Sequence, residues 1–298
     1  MAGKIVTLAE AVSRIEDGCH VAMGGFAIAR CPVAFAHELI RQGKKDLTLS
    51  QVIGGFEGEL LVAAGAVRKI VYGGGSLDRF GPLVNINRAI VKGVVEAEEY
   101  SGLSMAFRFL AGSLGIPFIP IKSLLGSDLL ERLGEDGRKG ATVQACPFTG
   151  ERLVLLKALS PDWSVVLAQR ADSRGNTWLL GPTWDEELAK AAGRLIVITE
   201  QIVNDELARR NPQEVSIPGC LVDMVVEVPY GGHPTSAYRA YDYDAEHIRE
   251  YVSEASAGST DRYLDKYVRS TTDHWEYLEK CGGLERLASL RADPALGY

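Results

Sequence analysis

Asp17-Gly18-Cys19-His20-Val21-Ala22-Met23-Gly24-Gly25-Phe26-Ala27-Ile28-Ala29-Arg30-Cys31-Pro32 is the stretch on which the reading of this chain turns. Asp-Gly makes a turn. Val21-Ala22-Met23 is too short an apolar run for a helix, and two glycines close it at once, so it reads as a short buried strand running into a loop that ends at Pro32. Paired glycines at the carboxyl end of a strand leave no Cβ between the peptide N–H groups and a bound anion. The crevice beyond the strand ends is where open α/β sheets bind ligands. A tight strand-to-loop turn explains the same glycines without any ligand.

Outward from this stretch the pattern repeats. Thr7 and Glu10 have capping-box spacing at a helix start, and Pro32 opens a helix from about Val33 to Gln42. Leu47–Ile53 reads as a strand closed by Gly54-Gly55. A helical stretch near 57–64 follows, then Lys69–Tyr72 closed by Gly73-Gly74-Gly75. Short strands are expected at Phe118–Ile121 and Leu153–Leu156, and buried ones at Trp163–Ala168, Leu195–Thr199 and Met224–Val228. Apolar strands alternating with amphipathic helices predict an α/β fold, an open, mostly parallel sheet with helices on both faces. One α/β domain is expected over residues 1–240, and a C-terminal helical appendage over 241–298, packed on that domain or on a partner.

Composition narrows the partners. The chain has 298 residues, 46% apolar and 24% charged, with a net charge of −7. The acidic balance argues against nucleic acid and against an anionic membrane surface. No apolar run approaches the roughly 20 residues that span a bilayer, and Met1–Ile5 lacks a secretory apolar region. The odd number of cysteines, five, without a C-x-x-C pair, predicts reduced thiols and a cytoplasmic location, and no metal site is expected.

Several groups are candidates for chemistry. Gly24 and Gly25 suit a cradle for a developing oxyanion, where each prepositioned N–H lowers a barrier by roughly 3 kcal/mol, with Phe26 walling off water. Arg30 is either a fork of donors for a substrate carboxylate or a solvated loop arginine. Ser76, in Gly73–Asp78, can donate to a carboxylate, although loop flexibility explains that segment equally well. Glu98-Glu99 reads as a solvated acidic start to the helix Leu103–Leu114. His233, in Pro229-Tyr230-Gly231-Gly232-His233-Pro234, is a candidate base or a residue held in a turn. Cys220 reads as a buried small hydrophobe, and Asp172–Asn176 as a self-sufficient turn.

The Asp-Gly turn, three apolar residues, Gly-Gly-Phe, short loop and x-Pro resemble the signature of family I coenzyme A transferases (the CoA-transferase/NagB-like fold). Arg30, where many members carry Gly, is like the subtype containing the A subunit of glutaconate CoA-transferase. Ile217–Asp223, Val228–Tyr238 and Tyr241–Asp244 are similar to the same subtype, and the resemblance runs from Thr7 to Tyr298. It implies coenzyme A as substrate with no permanently bound cofactor, and an acyl-CoA and a small carboxylic acid as ligands. It also implies attack by a glutamate that relatives carry in a B subunit, within Ser-Glu-Asn-Gly. This chain has no such motif; Gly55-Phe56-Glu57-Gly58 is its nearest analogue. A B subunit of similar fold is therefore expected, in an A2B2 heterotetramer or larger. The polar position next to the thioester in relatives falls on Gly102, beside Ser101. That departure keeps open a ring-opening CoA-thioester hydrolase or a decarboxylase of a glutaconyl-type thioester.

Overall fold

The computed structural model describes residues 3–134 and 136–293; residues 294–298 of the expected appendage lie outside the described residues, as do Met1 and Ala2. Seven strands form one sheet: β1 (His20–Met23), β2 (Leu47–Gln51), β3 (Val67–Tyr72), β4 (Glu96–Glu99), β5 (Trp163–Ala168), β6 (Arg194–Thr199) and β7 (Met224–Glu227). Their spatial order is β7-β6-β5-β1-β2-β3-β4, with every pairing parallel. The chain winds from β1 to one edge through β4, then returns to pair β5 on the other side of β1. The order thus reverses between β1 and β5, and a crevice opens beyond their carboxyl ends.

Alternation along each strand feeds two cores. Val21 and Met23 pack on one face with Phe35, Leu39, Phe56 and Leu60 of the helices Val33–Arg41 and Phe56–Ala63. Ala22 faces the other side, with Met105 and Phe109 of Gly102–Ser113 and Leu188 of Asp185–Ala191. The helices after residue 241 belong to the first face. Tyr251, Tyr263 and Tyr277 are fully buried there in the same cluster as Phe35 and Phe56. Thr7 caps the first helix as expected, its Oγ1 accepting from Glu10 N while Glu10 Oε2 accepts from Thr7 N.

Three expectations change. Glu98 and Glu99 do not open a helix. They lie in β4, an edge strand with no apolar run, where Lys69 of β3 reaches Glu98 at 2.7 Å and offsets the charge that would otherwise keep the strand solvated. Ser101 is instead the cap of the following helix, its Oγ accepting from Ser104 N. Phe118–Ile121 and Arg152–Lys157 are strands, but they lie in a separate three-stranded lobe, where Arg152–Lys157 is central and pairs antiparallel with Phe118–Ile121 on one side and Ala141–Ala145 on the other. Cys220 is exposed, because it sits in a 3₁₀ turn, Gly219–Leu221, ahead of β7. Among the described residues no helix is long and apolar enough to cross a membrane.

Candidate active site

The loop after β1 lies in the crevice where the strand order reverses. Segments distant in sequence hold its shape. Phe26 and Ala29 exchange two backbone hydrogen bonds, Arg30 N donates to Ser236 O at 2.7 Å, and Ser236 N donates to Ile28 O at 2.9 Å. Ala27 and Arg30 both have φ of 54°, the left-handed region that costs a non-glycine residue energy and persists only where surrounding contacts impose it. Asp185, at the start of its helix, adds two further contacts to the loop. Its Oδ1 accepts from Gly25 N at 3.1 Å, and its Oδ2 stands 3.6 Å from Arg30 Nε.

Above this floor is a cavity of about 420 Å³. Phe26, Val52, Trp184 and Tyr238 supply apolar wall, and Arg30, Asp185, Tyr241 and Asp242 supply polar groups. Phe26, Trp184 and Tyr238 keep 51%, 45% and 40% of their surface exposed, so the cavity mouth is aromatic and open. Arg30 is only 5% exposed, which excludes the solvated loop arginine. Among the described residues its guanidinium donates no hydrogen bond. A buried cation beside apolar walls, with one long ion pair, is suited to receive an anionic or carbonyl oxygen.

The glycines act differently from the expectation. Gly24 N donates to Val165 O and Gly25 N to Asp185, so neither amide is free to cradle an oxyanion. The absence of side chains serves close packing instead. A Cβ on Gly24 would meet Asp185 Cγ at 2.9 Å, and one on Gly25 (φ +101°) would meet Arg30 O at 2.9 Å. Further along the loop, the amides of Ala27 and Ile28 have no partner among the described residues.

Other expected site residues lie elsewhere. Ser76 lines a turn, its Oγ accepting from Asp78 N, away from the cavity. Gly102 starts a helix that packs on Gly73, where a Cβ would come within 2.6 Å of the Gly102 Cα; a Cβ on Gly102 itself would meet Ile53 Cδ1 at 2.7 Å. Ser101 is spent on its cap. His233 is 1% exposed inside the C-terminal helical layer, with Nδ1 2.7 Å from Tyr277 Oη and Nε2 3.3 Å from Asp244. It does not face the cavity. Asp244 in turn takes both arms of Arg286; although burial opposes ionisation, Arg286 and His233 hold its carboxyl well below the usual range.

Two glutamates, Glu57 buried and Glu200 half-buried, support the loop from beneath. Glu57 is 1% exposed and accepts from Gln51 Nε2 at 2.6 Å; burial pushes it up to about 7 against the hydrogen bonds from Cys31 and Gln51. Burial also raises the Cys31 thiol well above its ordinary value, with Glu57 adding to it. Glu200, at the end of β6, accepts from Tyr230 N, Gly231 N and Tyr241 Oη, and burial raises it too to about 7. It thereby holds the turn that carries Tyr238 and Tyr241 to the cavity.

Asp185, Trp184 and Ser236 escaped the sequence reading. Gly181-Pro182-Thr183 announces only a turn, and nothing local says that the next acid faces a glycine 160 residues away.

Comparison with known proteins agrees with this fold. The coenzyme A transferase family pattern matches residues 5–228. An uncharacterized protein of Archaeoglobus fulgidus is 38% identical over 98% of the chain, which spans 65% of that protein's length. The A subunit of glutaconate CoA-transferase from Acidaminococcus fermentans is 32% identical over 99% of the chain and 97% of its own length. The crystal structure of that enzyme superposes with a TM-score of 0.93, at 31% identity, covering 99% of this chain and 98% of the other. The A subunit of 3-oxoadipate CoA-transferase from Pseudomonas knackmussii is 35% identical over 93% of the chain and 98% of its own length.

Proposed function

Given that this chain belongs to the coenzyme A transferase family, we propose that it is the A subunit of a heteromeric CoA-transferase moving CoA between an acyl-CoA and a small dicarboxylic or oxo acid. The observation that carries the reading is the buried Arg30, with no hydrogen bond from its guanidinium among the described residues, set in an apolar cavity at the reversal point of the sheet. In this role Arg30 receives the distal carboxylate or oxo oxygen of the acid, and Phe26, Trp184 and Tyr238 exclude water from the thioester.

No glutamate lines the cavity among the described residues, and Glu57 lies below the loop, buried and hydrogen-bonded to Gln51. Of the two carboxylates that do line it, Asp185 is held by Gly25 N and Arg30, and in this reading the nucleophile comes from a B subunit of similar fold. Its carboxylate attacks the thioester carbonyl and CoA thiolate departs; the thiolate then attacks the glutamyl carbonyl of the anhydride, releasing the first acid as its carboxylate and leaving a glutamyl–CoA thioester, which the second acid resolves by the same two steps in reverse. An A2B2 assembly and a cytoplasmic location fit this reading; all five cysteines are free. The test is isotope exchange between CoA thioesters and free acids, by this chain alone and after reconstitution with its B subunit. Exchange only in the complex supports the assignment. Full exchange by the chain alone refutes the shared site, and thioester loss without exchange replaces transfer by hydrolysis.

A further inference from the structure

A second cleft, of about 800 Å³, opens beyond the carboxyl ends of β5, β6 and β7. Tyr241 borders both this cleft and the acyl cavity, and the turn from Tyr238 to Tyr241 forms the wall between them. Three arginines line the cleft: Arg170, just after β5; Arg239, in the dividing turn; and Arg291, near the last described residues. Among the described residues none of the three has a carboxylate within ion-pairing distance or donates a side-chain hydrogen bond. What distinguishes them is convergence: three cations without a paired carboxylate line one hollow on a chain of net charge −7.

The backbone holds two of them in place. Arg239 adopts φ of 65°, and its guanidinium stands 5.6 Å from the centre of the Tyr238 ring, which also lines the acyl cavity. Arg291 bridges Tyr241 through the backbone, with Asp242 N donating to Leu290 O and Ala292 N to Ala240 O. Of the two acids in the cleft, Glu200 is already engaged by Tyr230, Gly231 and Tyr241, which leaves Glu214 as the opposing charge.

We propose that this cleft binds the phosphates of the acyl-CoA nucleotide, with Arg170, Arg239 and Arg291 meeting the phosphoryl oxygens while the thioester arm crosses the Tyr238–Tyr241 wall into the acyl cavity. The proposal rests on the CoA-transferase reading above. Guanidinium forks match phosphate oxygens in pairs, and a cluster of like charges without counter-ions calls for a polyanion. A concave surface favours an entering ligand over a partner protein, which would have to bring three carboxylates into the hollow.

The test uses the chain assembled with its B subunit, wild type and R170Q/R239Q/R291Q, together with the three single variants. The triple variant is expected to raise KM for acyl-CoA at least about tenfold, with each lost charge-assisted contact contributing, and to collapse by the same factor the preference for acyl-CoA over the matching acyl-pantetheine. Calorimetric binding of adenosine 3′,5′-bisphosphate to the complex should weaken in parallel. An unchanged preference, or nucleotide binding as tight as in the wild type, overturns the proposal. So do single variants that fail to assemble while still binding the nucleotide, since the arginines would then serve the partner contact. The calorimetric arm reads the cleft even if the complex turns over no thioester, so loss of the CoA-transferase reading is distinguishable from loss of this one.

Discussion

Arg30 and Asp185 face each other across the floor of the cavity at the end of β1, Nε to Oδ2 at 3.6 Å, too far for a hydrogen bond, and neither atom has another hydrogen-bond partner among the described residues. Both side chains are almost wholly buried. The long pair leaves donor capacity on Arg30 for an incoming oxygen.

Asp185→Asn keeps an oxygen for Gly25 N–H but removes the charge beside Arg30, leaving a buried cation without its counter-ion. Destabilisation of about 3 kcal/mol is expected, measured by urea unfolding of the assembled enzyme. A loss below the error of the measurement would mean that Arg30 is already neutralised by solvent or by the partner protein.

Arg30→Gln removes the fork. KM for acids carrying a second carboxylate should rise about tenfold or more, while KM for a monocarboxylic acid of the same length changes far less. Steady-state kinetics on the paired acids decides the point; equal effects on both would assign Arg30 to loop structure alone.

Gly25→Ala places a Cβ 2.9 Å from Arg30 O at φ +101°, so the loop must shift. A displacement of about 1 Å at a reacting centre costs on the order of 10²-fold in kcat. The same change should leave the far-ultraviolet dichroism of the sheet intact. Wild-type kcat in this variant would separate the loop from catalysis.

Glu57→Gln tests the buried carboxyl through pH. Folding raises its pKa from 4.5 to about 7, so the folded state holds a proton that the unfolded chain releases between those values. Stability is therefore lost as pH rises from about 4.5 to 7, and the penalty is constant above that. The variant should match the wild type near pH 4.5 and exceed it by up to about 3 kcal/mol at pH 8. Parallel unfolding curves at the two pH values would contradict a neutral Glu57.

How far the sequence could be read followed from the range of the forces involved. Val21–Met23 and Trp163–Ala168 announced themselves because a strand buried on both faces is mostly apolar, and Leu47–Gln51 because its leucines alternate with polar residues ahead of a glycine stop. Glu96–Glu99 did not, since an edge strand needs only one paired side and a cation, Lys69, to accept its acids. The antiparallel pairing of Phe118–Ile121 with Arg152–Lys157 was likewise invisible, because the choice of partner is a contact between distant segments. At the site, Phe26 and Arg30 were legible from a local pattern, whereas His233 looked like chemistry and proved to be held by Tyr277 and Asp244.

Local periodicity and the glycines that stop each strand determined on their own the parallel layering and the position of the ligand crevice, for strand propensity, burial on both faces and turn formation act over a few residues. Only the folded chain decided what the paired glycines do. Their amides are taken by Val165 and Asp185, and their bare α-carbons let Asp185 and the Arg30 backbone close in. Hydrogen-bond occupancy and ion pairing join segments more than a hundred residues apart, and no short-range pattern encodes which of them will meet.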